Sequence, residues 1–104
     1  MQKASPNKFK AASVQFDIKL GDVDYNLSYV LSEIRRLSKE GVRLIVLPEM
    51  WSSGYAWRKL GRLSERTPEI LEELKKVSKK GIVIIGSMPE KDGEDIYNTA
   101  YAID

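Results

Sequence analysis

Glu49 is the residue of this sequence best placed to do chemistry. It follows an apolar run, Arg43–Leu47, and Pro48 restricts the backbone immediately before it. Ligands of open α/β sheets gather beyond the carboxyl ends of the parallel strands, which is where this glutamate would lie. The position therefore predicts a carboxylate at the ligand-binding edge of a sheet.

Three aromatic residues, Trp51, Tyr55 and Trp57, follow Glu49 closely enough to exclude water from its carboxylate. An apolar surrounding disfavours the ionised form of a carboxylic acid, which suits the group to accept and return protons near neutral pH. We therefore expect Glu49 to act as a general base and acid. A structural role is the alternative for each feature. A glutamate at a strand end is more often solvated or a capping residue, and clustered aromatic residues more often pack in the core.

The composition excludes several other kinds of chemistry. Cysteine and histidine are absent from the 104 residues, which rules out a disulfide, a thiolate nucleophile, a cysteine-bound zinc ion and a histidine base within this sequence. The 17 basic and 15 acidic residues are mixed along the chain, so a nucleic-acid partner is not expected. Apolar runs reach about five residues, whereas a membrane span needs roughly 20. With no signal-peptide pattern at the start, the sequence predicts a cytoplasmic protein without a membrane partner, metal or cofactor.

Alternating helices and strands must position Glu49. Apolar residues spaced by three and four predict helices over Asp24–Glu40 and from Thr67 to the glycine at 81, with Asp24 and Thr67 as N-caps. Strand-length apolar segments occupy Phe9–Phe16, Arg43–Leu47, Ile82–Gly86 and Tyr97–Asp104. The segment Trp51–Arg66 reads as a loop with a helical turn near Arg58–Leu63.

The resulting order, βαβαββ, predicts an α/β fold with a mostly parallel sheet. The uniformly apolar runs Arg43–Leu47 and Ile82–Gly86 predict strands covered on both faces. The turn at Lys91–Glu94 is too short for a crossover, so the last strand must run antiparallel to its neighbour. Residues 1–8 are polar and are expected to form a flexible arm of a single domain.

Three segments, in this order, resemble the nitrilase superfamily of carbon-nitrogen hydrolases. The string LIVLPEMWSSGY, at Leu44–Tyr55, is similar to the segment around that family's catalytic glutamate. The opening KAASVQFDIKLGDVDYNL, at Lys10–Leu27, is similar to its first strand and the entry to its first helix. The final GIVIIGSMPEKDGEDIYNTAYAID, at Gly81–Asp104, is similar to its third strand and following hairpin. The resemblance implies the N-terminal part of an αββα sandwich.

The resemblance also implies a catalytic triad of glutamate, lysine and cysteine, in which Glu49 supplies the glutamate. In that family the thiol attacks the substrate carbon, the glutamate moves protons and the lysine stabilises the tetrahedral intermediate. The family's lysine follows the hairpin and its cysteine lies on a later strand. We therefore expect residues 1–104 to be an incomplete, truncated carbon-nitrogen hydrolase domain that is inactive by itself. The resemblance implies Tyr55 as a pocket-lining residue, and it matches Asn98 and Thr99 to a position where the amide side chain braces neighbouring loops. The ordinary alternative for Asn98 is a turn-flanking residue that satisfies the local backbone.

The substrate implied is a small amide, either short and aliphatic or an ω-amide, as in small bacterial amidases. A homo-oligomer or a complementing chain is the expected partner. The alternative is a non-catalytic α/β module completed by self-association or a partner chain, because its last strand, Tyr97–Asp104, would leave an open edge. A flavodoxin-like binding domain ranks below both, since no phosphate-binding loop is visible. Ser87 follows a strand without such a loop, and we assign it no role.

Overall fold

A computed structural model describes residues 8–78 and 81–104 and confirms the predicted α/β class and element order. The strands are β1 (Lys10–Ser13), β2 (Val42–Val46), β3 (Val83–Asp92) and β4 (Asp95–Ile103), and the helices are α1 (Val23–Lys39), α2 (Leu60–Leu63) and α3 (Thr67–Ser78). The predicted arm over residues 1–8 lies outside the described residues except for its last position. No helix of the described part is long and apolar enough to cross a bilayer.

The four strands form one sheet in the order β1-β2-β3-β4. The first three are parallel and β4 is antiparallel to β3, as predicted. Ile45, Ile84 and Ile103 are laterally paired across three of the strands, and all are buried in one hydrophobic cluster with the apolar stripes of α1 and α3. The core therefore lies between the sheet and a single layer of helices.

The other face of the sheet is bare, so the prediction of strands covered on both faces was wrong for this chain. Successive side chains of a strand point to opposite faces, and the row beside the buried isoleucines contains Ser13, Val46, Ile85 and Ala102. Val46 is 38% exposed and Ile85 is 37% exposed. The two longer helices, α1 and α3, pack on the opposite side, and these apolar residues have no second layer within the described chain.

Two predicted helix caps differ from the structure. The N-cap of α1 is Asp22 rather than Asp24, and its carboxylate accepts a hydrogen bond from the Tyr25 amide at 3.0 Å. Thr67 does not cap α3, because a 3₁₀ turn over Ser64–Arg66 runs directly into the helix and leaves no free helix start. The Thr67 hydroxyl instead donates to the Pro89 carbonyl at 2.7 Å, which fixes α3 to β3.

The hairpin of β3 and β4 is longer than predicted. β3 continues six residues past Gly86, and the strands pair as far as Asp92 and Asp95 around the two residues Gly93 and Glu94. Gly93 has a φ of 63°, a left-handed conformation that glycine adopts without steric cost. β2 ends at Val46, so Pro89 borders an unpaired edge where its missing N–H is tolerated.

Glu90 organises the helix-side face of this hairpin. Tyr101 donates its hydroxyl to Glu90 at 3.0 Å, and Thr99 donates to the other carboxylate oxygen at 3.2 Å. Burial of the phenol, with a further contribution from the bond to Glu90, raises the pKa of Tyr101 to about 12.

The raised pKa of Tyr101 predicts a loss of stability at alkaline pH. An unfolded tyrosine ionises near pH 10, at about its ordinary pKa, while the folded phenol stays protonated, so the unfolded state releases a proton first. The contribution is complete below about pH 10 and is lost as the pH rises towards 12. Urea unfolding across this range checks it: Tyr101→Phe should reduce the alkaline decline, and an identical decline in both proteins would contradict the prediction.

Candidate functional site

Glu49 lies on a tight loop that follows β2 and folds back into the core. Leu47, Met50 and Trp51 of this loop are buried, whereas Glu49 is exposed. The loop closes through a hydrogen bond of 2.7 Å from the Gly54 amide to the Met50 carbonyl. The buried neighbours thus anchor the backbone on both sides of a carboxylate that faces outward.

Met50 adopts a φ of 50°, in the left-handed region that non-glycine residues seldom occupy. A conformation of this kind costs about 1 kcal/mol or more and persists only where the surroundings hold it. Here the Met50 side chain is 2% exposed, and its amide donates to the Ser87 hydroxyl oxygen at 2.9 Å. Burial and this hydrogen bond together hold the turn.

One oxygen of the Glu49 carboxylate accepts two hydrogen bonds. The Tyr55 hydroxyl donates to Oε1, and the Asn98 side-chain amide donates to the same atom at 2.9 Å. The Asn98 nitrogen also lies 3.4 Å from the Tyr55 hydroxyl oxygen, so the three side chains form one cluster. Oε2 makes no hydrogen bond within the described residues, and this leaves one oxygen of the carboxylate available for proton transfer.

The cluster lies on the bare face of the sheet. Asn98 is two residues from Ala100 and four from Ala102, so the strand alternation places its side chain on the side away from the helices. Tyr55 also borders a cavity of about 350 Å³. The lining residues are Leu20, Tyr55, Ala56, Trp57, Arg58 and Lys59. A second layer covering this face would enclose the Glu49 carboxylate.

The three aromatic residues do not screen Glu49 from water as predicted. Trp51 is fully buried in the core, and Trp57 is 73% exposed, with its ring centroid 5.1 Å from that of Tyr55. Of these three aromatic residues, Tyr55 is the one that hydrogen-bonds to the carboxylate. The reason is the left-handed turn at Met50, after which the chain directs Trp51 into the core.

Trp51 packs against β3 at Gly86. A Cβ atom on Gly86 would lie 3.0 Å from the Leu47 Cβ and 3.1 Å from the Trp51 Cδ1. The Trp51 ring nitrogen has no hydrogen-bond partner among the residues that the structure describes. The Trp51 ring can approach the strand this closely because Gly86 has no side chain.

Replacing Gly86 with alanine should lower the free energy of unfolding by about 1–3 kcal/mol, because the new methyl group overpacks the contact with Leu47 and Trp51. Gly61→Ala is the matched control, since its nearest neighbour, an Ile96 methyl carbon, is 3.9 Å away. That substitution lies in a helix and should not destabilise the protein. Urea unfolding of both variants measures the difference, and equal stabilities would contradict the packing role of Gly86.

Two residues of the site region were missed by sequence analysis. Ser87, for which the sequence pattern predicts no role, supports the Glu49 loop by accepting a hydrogen bond from the Met50 amide. Asn26 is fully buried, and its side chain exchanges two hydrogen bonds of 2.9 Å with the Lys19 backbone and donates a third, also 2.9 Å, to the Ser52 carbonyl. It thereby connects the β1–α1 loop with the loop that follows Glu49. An asparagine among the apolar positions of a predicted helix was the available signal for Asn26.

No group of three or more aspartate, glutamate, cysteine or histidine residues within residues 8–78 and 81–104 is arranged to hold a metal ion. The chemistry that this arrangement offers is proton transfer at one carboxylate.

A sequence model of the family described as carbon-nitrogen hydrolase matches residues 10–104. The chain belongs to the carbon-nitrogen hydrolase family. It is 33% identical over 100 residues to a 2-oxoglutaramate amidase of Bacillus subtilis (strain 168), a match covering 93% of this chain and 38% of the relative. An omega-amidase of Danio rerio is 33% identical over 96 residues, covering 89% and 34%.

The fold agrees with that of a solved amidase. An amidase from Nesterenkonia sp. superimposes with a TM-score of 0.80 at 24% identity, over 92% of this chain and 38% of that structure. The present chain spans between 34% and 38% of the length of these two curated relatives. At this level of identity, the superposition is evidence for the fold alone.

Proposed function

We propose that Glu49 is the proton-transferring carboxylate of a site that hydrolyses small amides, and that residues 9–104 form the first part of that catalytic domain. The observation that carries the proposal is the grip of Tyr55 and Asn98 on one carboxylate oxygen. The second oxygen, Oε2, accepts no hydrogen bond from the described residues. A base must be fixed in direction and still free to accept a proton, and this arrangement meets both needs.

The attacking group and its electrostatic partner would come from polypeptide outside these 104 residues. The sequence contains no cysteine, and about two-thirds of the length of each of these curated relatives lies outside the part that this chain matches. In the proposed reaction a thiol gives its proton to Glu49 and forms a bond to the amide carbon. Glu49 then returns the proton to the departing nitrogen as ammonia leaves, and water releases the acid in a second cycle. A lysine would stabilise the negative oxygen of each tetrahedral intermediate.

The bare sheet face explains how a second segment would complete the site. Val46 and Ile85 are exposed on the same face as Asn98, so a layer that buries this apolar surface would also cover the cluster. Exclusion of water strengthens electrostatic interactions inside a site. The substrate class we propose is a short aliphatic amide or an ω-amide, because two relatives carry the names 2-oxoglutaramate amidase and omega-amidase.

Reconstitution tests this function. The chain is combined with the complementary segment of the Bacillus relative, and this assembly is called the reconstituted complex below. We expect the reconstituted complex to release ammonia from a small amide, and we expect a thiol-alkylating reagent to stop it. Each segment alone is the control. A stable, folded complex without ammonia release would refute the proposal.

A second candidate function is a non-catalytic module that is completed by a second copy or a partner chain. The exposed Val46 and Ile85 favour it, as does β4, a nine-residue strand at the edge of the sheet that has no neighbour on one side among the residues described. This candidate predicts a dimer or larger species by gel filtration with light scattering. A monomer at high concentration would exclude self-association. An inactive reconstituted complex together with a stable oligomer would favour this candidate over the hydrolase.

A further inference from the structure

Ser87 reaches the Glu49 loop from a different strand. It lies on β3, and its hydroxyl oxygen accepts the Met50 amide at 2.9 Å across a separation of 37 residues. Ser87 pairs with Ala100 in the sheet and therefore shares the bare face with Asn98. The same two-stranded platform thus supports both the backbone and the side chain of the glutamate.

The position of the Met50 amide determines the orientation of Glu49. The peptide group between Glu49 and Met50 is planar, so fixing the Met50 nitrogen also fixes the plane attached to the Glu49 Cα atom. Met50 has an unfavourable φ of 50°, and without a restraint its backbone would relax towards a commoner conformation. Relaxation would rotate that plane and move the carboxylate away from Tyr55 and Asn98.

We propose that Ser87 is a positioning residue that holds Glu49 in its proton-transfer orientation by binding the Met50 amide. A catalytic role for Ser87 rests on the function proposed for Glu49. Its effect on the orientation of the carboxylate does not depend on that function. Glu49 is then held at two points, through its own backbone by β3 and through Oε1 by Asn98 of β4. Any shift between the two strands of the hairpin would therefore change the orientation of the carboxylate.

The test follows two nuclear magnetic resonance signals in the isotope-labelled chain. The Met50 amide exchange rate reports the bond to Ser87, and the Asn98 side-chain amide shift reports the contact with the carboxylate. Glu49→Ala defines the Asn98 shift when the carboxylate is absent. In Ser87→Ala we expect Met50 exchange to rise about two- to tenfold, the effect of losing one hydrogen bond. The Asn98 signal should move towards its position in Glu49→Ala.

Matched variants separate positioning from general loosening. Ser87→Thr keeps the hydroxyl and should retain both wild-type signals. Ser64→Ala removes a buried serine hydroxyl elsewhere in the chain, which donates to the Gly61 carbonyl at 2.7 Å, and should change neither signal. If Ser87→Ala does not fold, Ser87→Cys is read in the same way, because its thiol has a similar shape and is a weaker acceptor.

An unchanged Asn98 signal in folded Ser87→Ala would overturn the proposal, as would an equal change in Ser64→Ala. In an active reconstituted complex, Ser87→Ala should lower kcat with little change in KM. A complex that is inactive with the wild-type chain, combined with the expected signal changes, would refute the hydrolase function and leave the positioning by Ser87 intact. The two failures are therefore distinguishable.

Discussion

Glu49→Gln should lower the kcat of the reconstituted complex by about 10²- to 10⁴-fold, the usual contribution of a positioned general base and acid. Glutamine has nearly the same shape, and its carbonyl oxygen can still accept hydrogen bonds from Tyr55 and Asn98. It cannot take a proton from a thiol. The loss should therefore fall on the chemical step, with KM little changed, and ammonia release under saturating amide measures it.

Glu90→Gln is the control for this substitution. Glu90 is also exposed and also accepts from a tyrosine and a further side chain, Tyr101 and Thr99. It lies on the helix-side face of the hairpin, one strand position away from the row that contains Asn98. Activity should remain near the wild-type level in Glu90→Gln. Equal losses in the two variants would show that Glu49 has no special chemical role.

Asn26→Asp should lower the free energy of unfolding by about 3–5 kcal/mol, the cost of leaving a charge buried without compensation. The substitution removes the two hydrogen bonds that Asn26 donates to the Lys19 and Ser52 carbonyls. In their place a carboxylate oxygen would face two carbonyl oxygens within a fully buried site. Urea unfolding at neutral pH measures the loss.

The size of this loss should depend on pH in a known direction. Burial favours the neutral form of a carboxylic acid, and that form can donate one hydrogen bond. The Asn26→Asp protein should therefore recover part of its stability at acidic pH relative to wild type. Gln15→Glu, the same amide-to-acid change at an exposed position, should stay within about 0.5 kcal/mol of wild type. A similar small effect of Asn26→Asp would contradict the role assigned to Asn26.

Local sequence signals predicted most of the backbone arrangement. The stripe containing Val30, Ile34 and Leu37 is buried as the helical spacing required. Gly41 has a φ of 83° at the end of α1, where a left-handed residue was expected. These features depend on residues within one or two turns of each other, and for that reason a single sequence contains enough information to predict them.

The features that failed depend on contacts between distant segments. Apolar composition of β2 and β3 predicted cover on both faces, but composition does not specify which polypeptide supplies the second layer. The contact between Asn98 and Glu49 joins residues 49 positions apart, and the Ser87 contact joins residues 37 apart. The left-handed turn that buries Trp51 occurs at Met50 and not at a glycine, so the sequence contains no local signal for it.

The position of the cluster links the bare face to the proposed function. Asn98 shares its face with the exposed Ile85 and Ala102, so the polar cluster continues the apolar surface without a break in the sheet. Burial of that surface is favourable at about 25 cal/mol per Å² of apolar area. The same association that stabilises the sheet would therefore dehydrate the carboxylate, and stability and activity should rise together on reconstitution.

The role of Glu49 is best tested by a crystal structure of the reconstituted complex with a small amide bound and with serine in place of the completing segment's cysteine. We expect Tyr55 and Asn98 still to donate to one oxygen of Glu49. The other oxygen should lie about 2.6–3.2 Å from the serine hydroxyl or the amide nitrogen, within reach for proton transfer. A Glu49 carboxylate that faces bulk water while the amide binds elsewhere would refute proton transfer by Glu49.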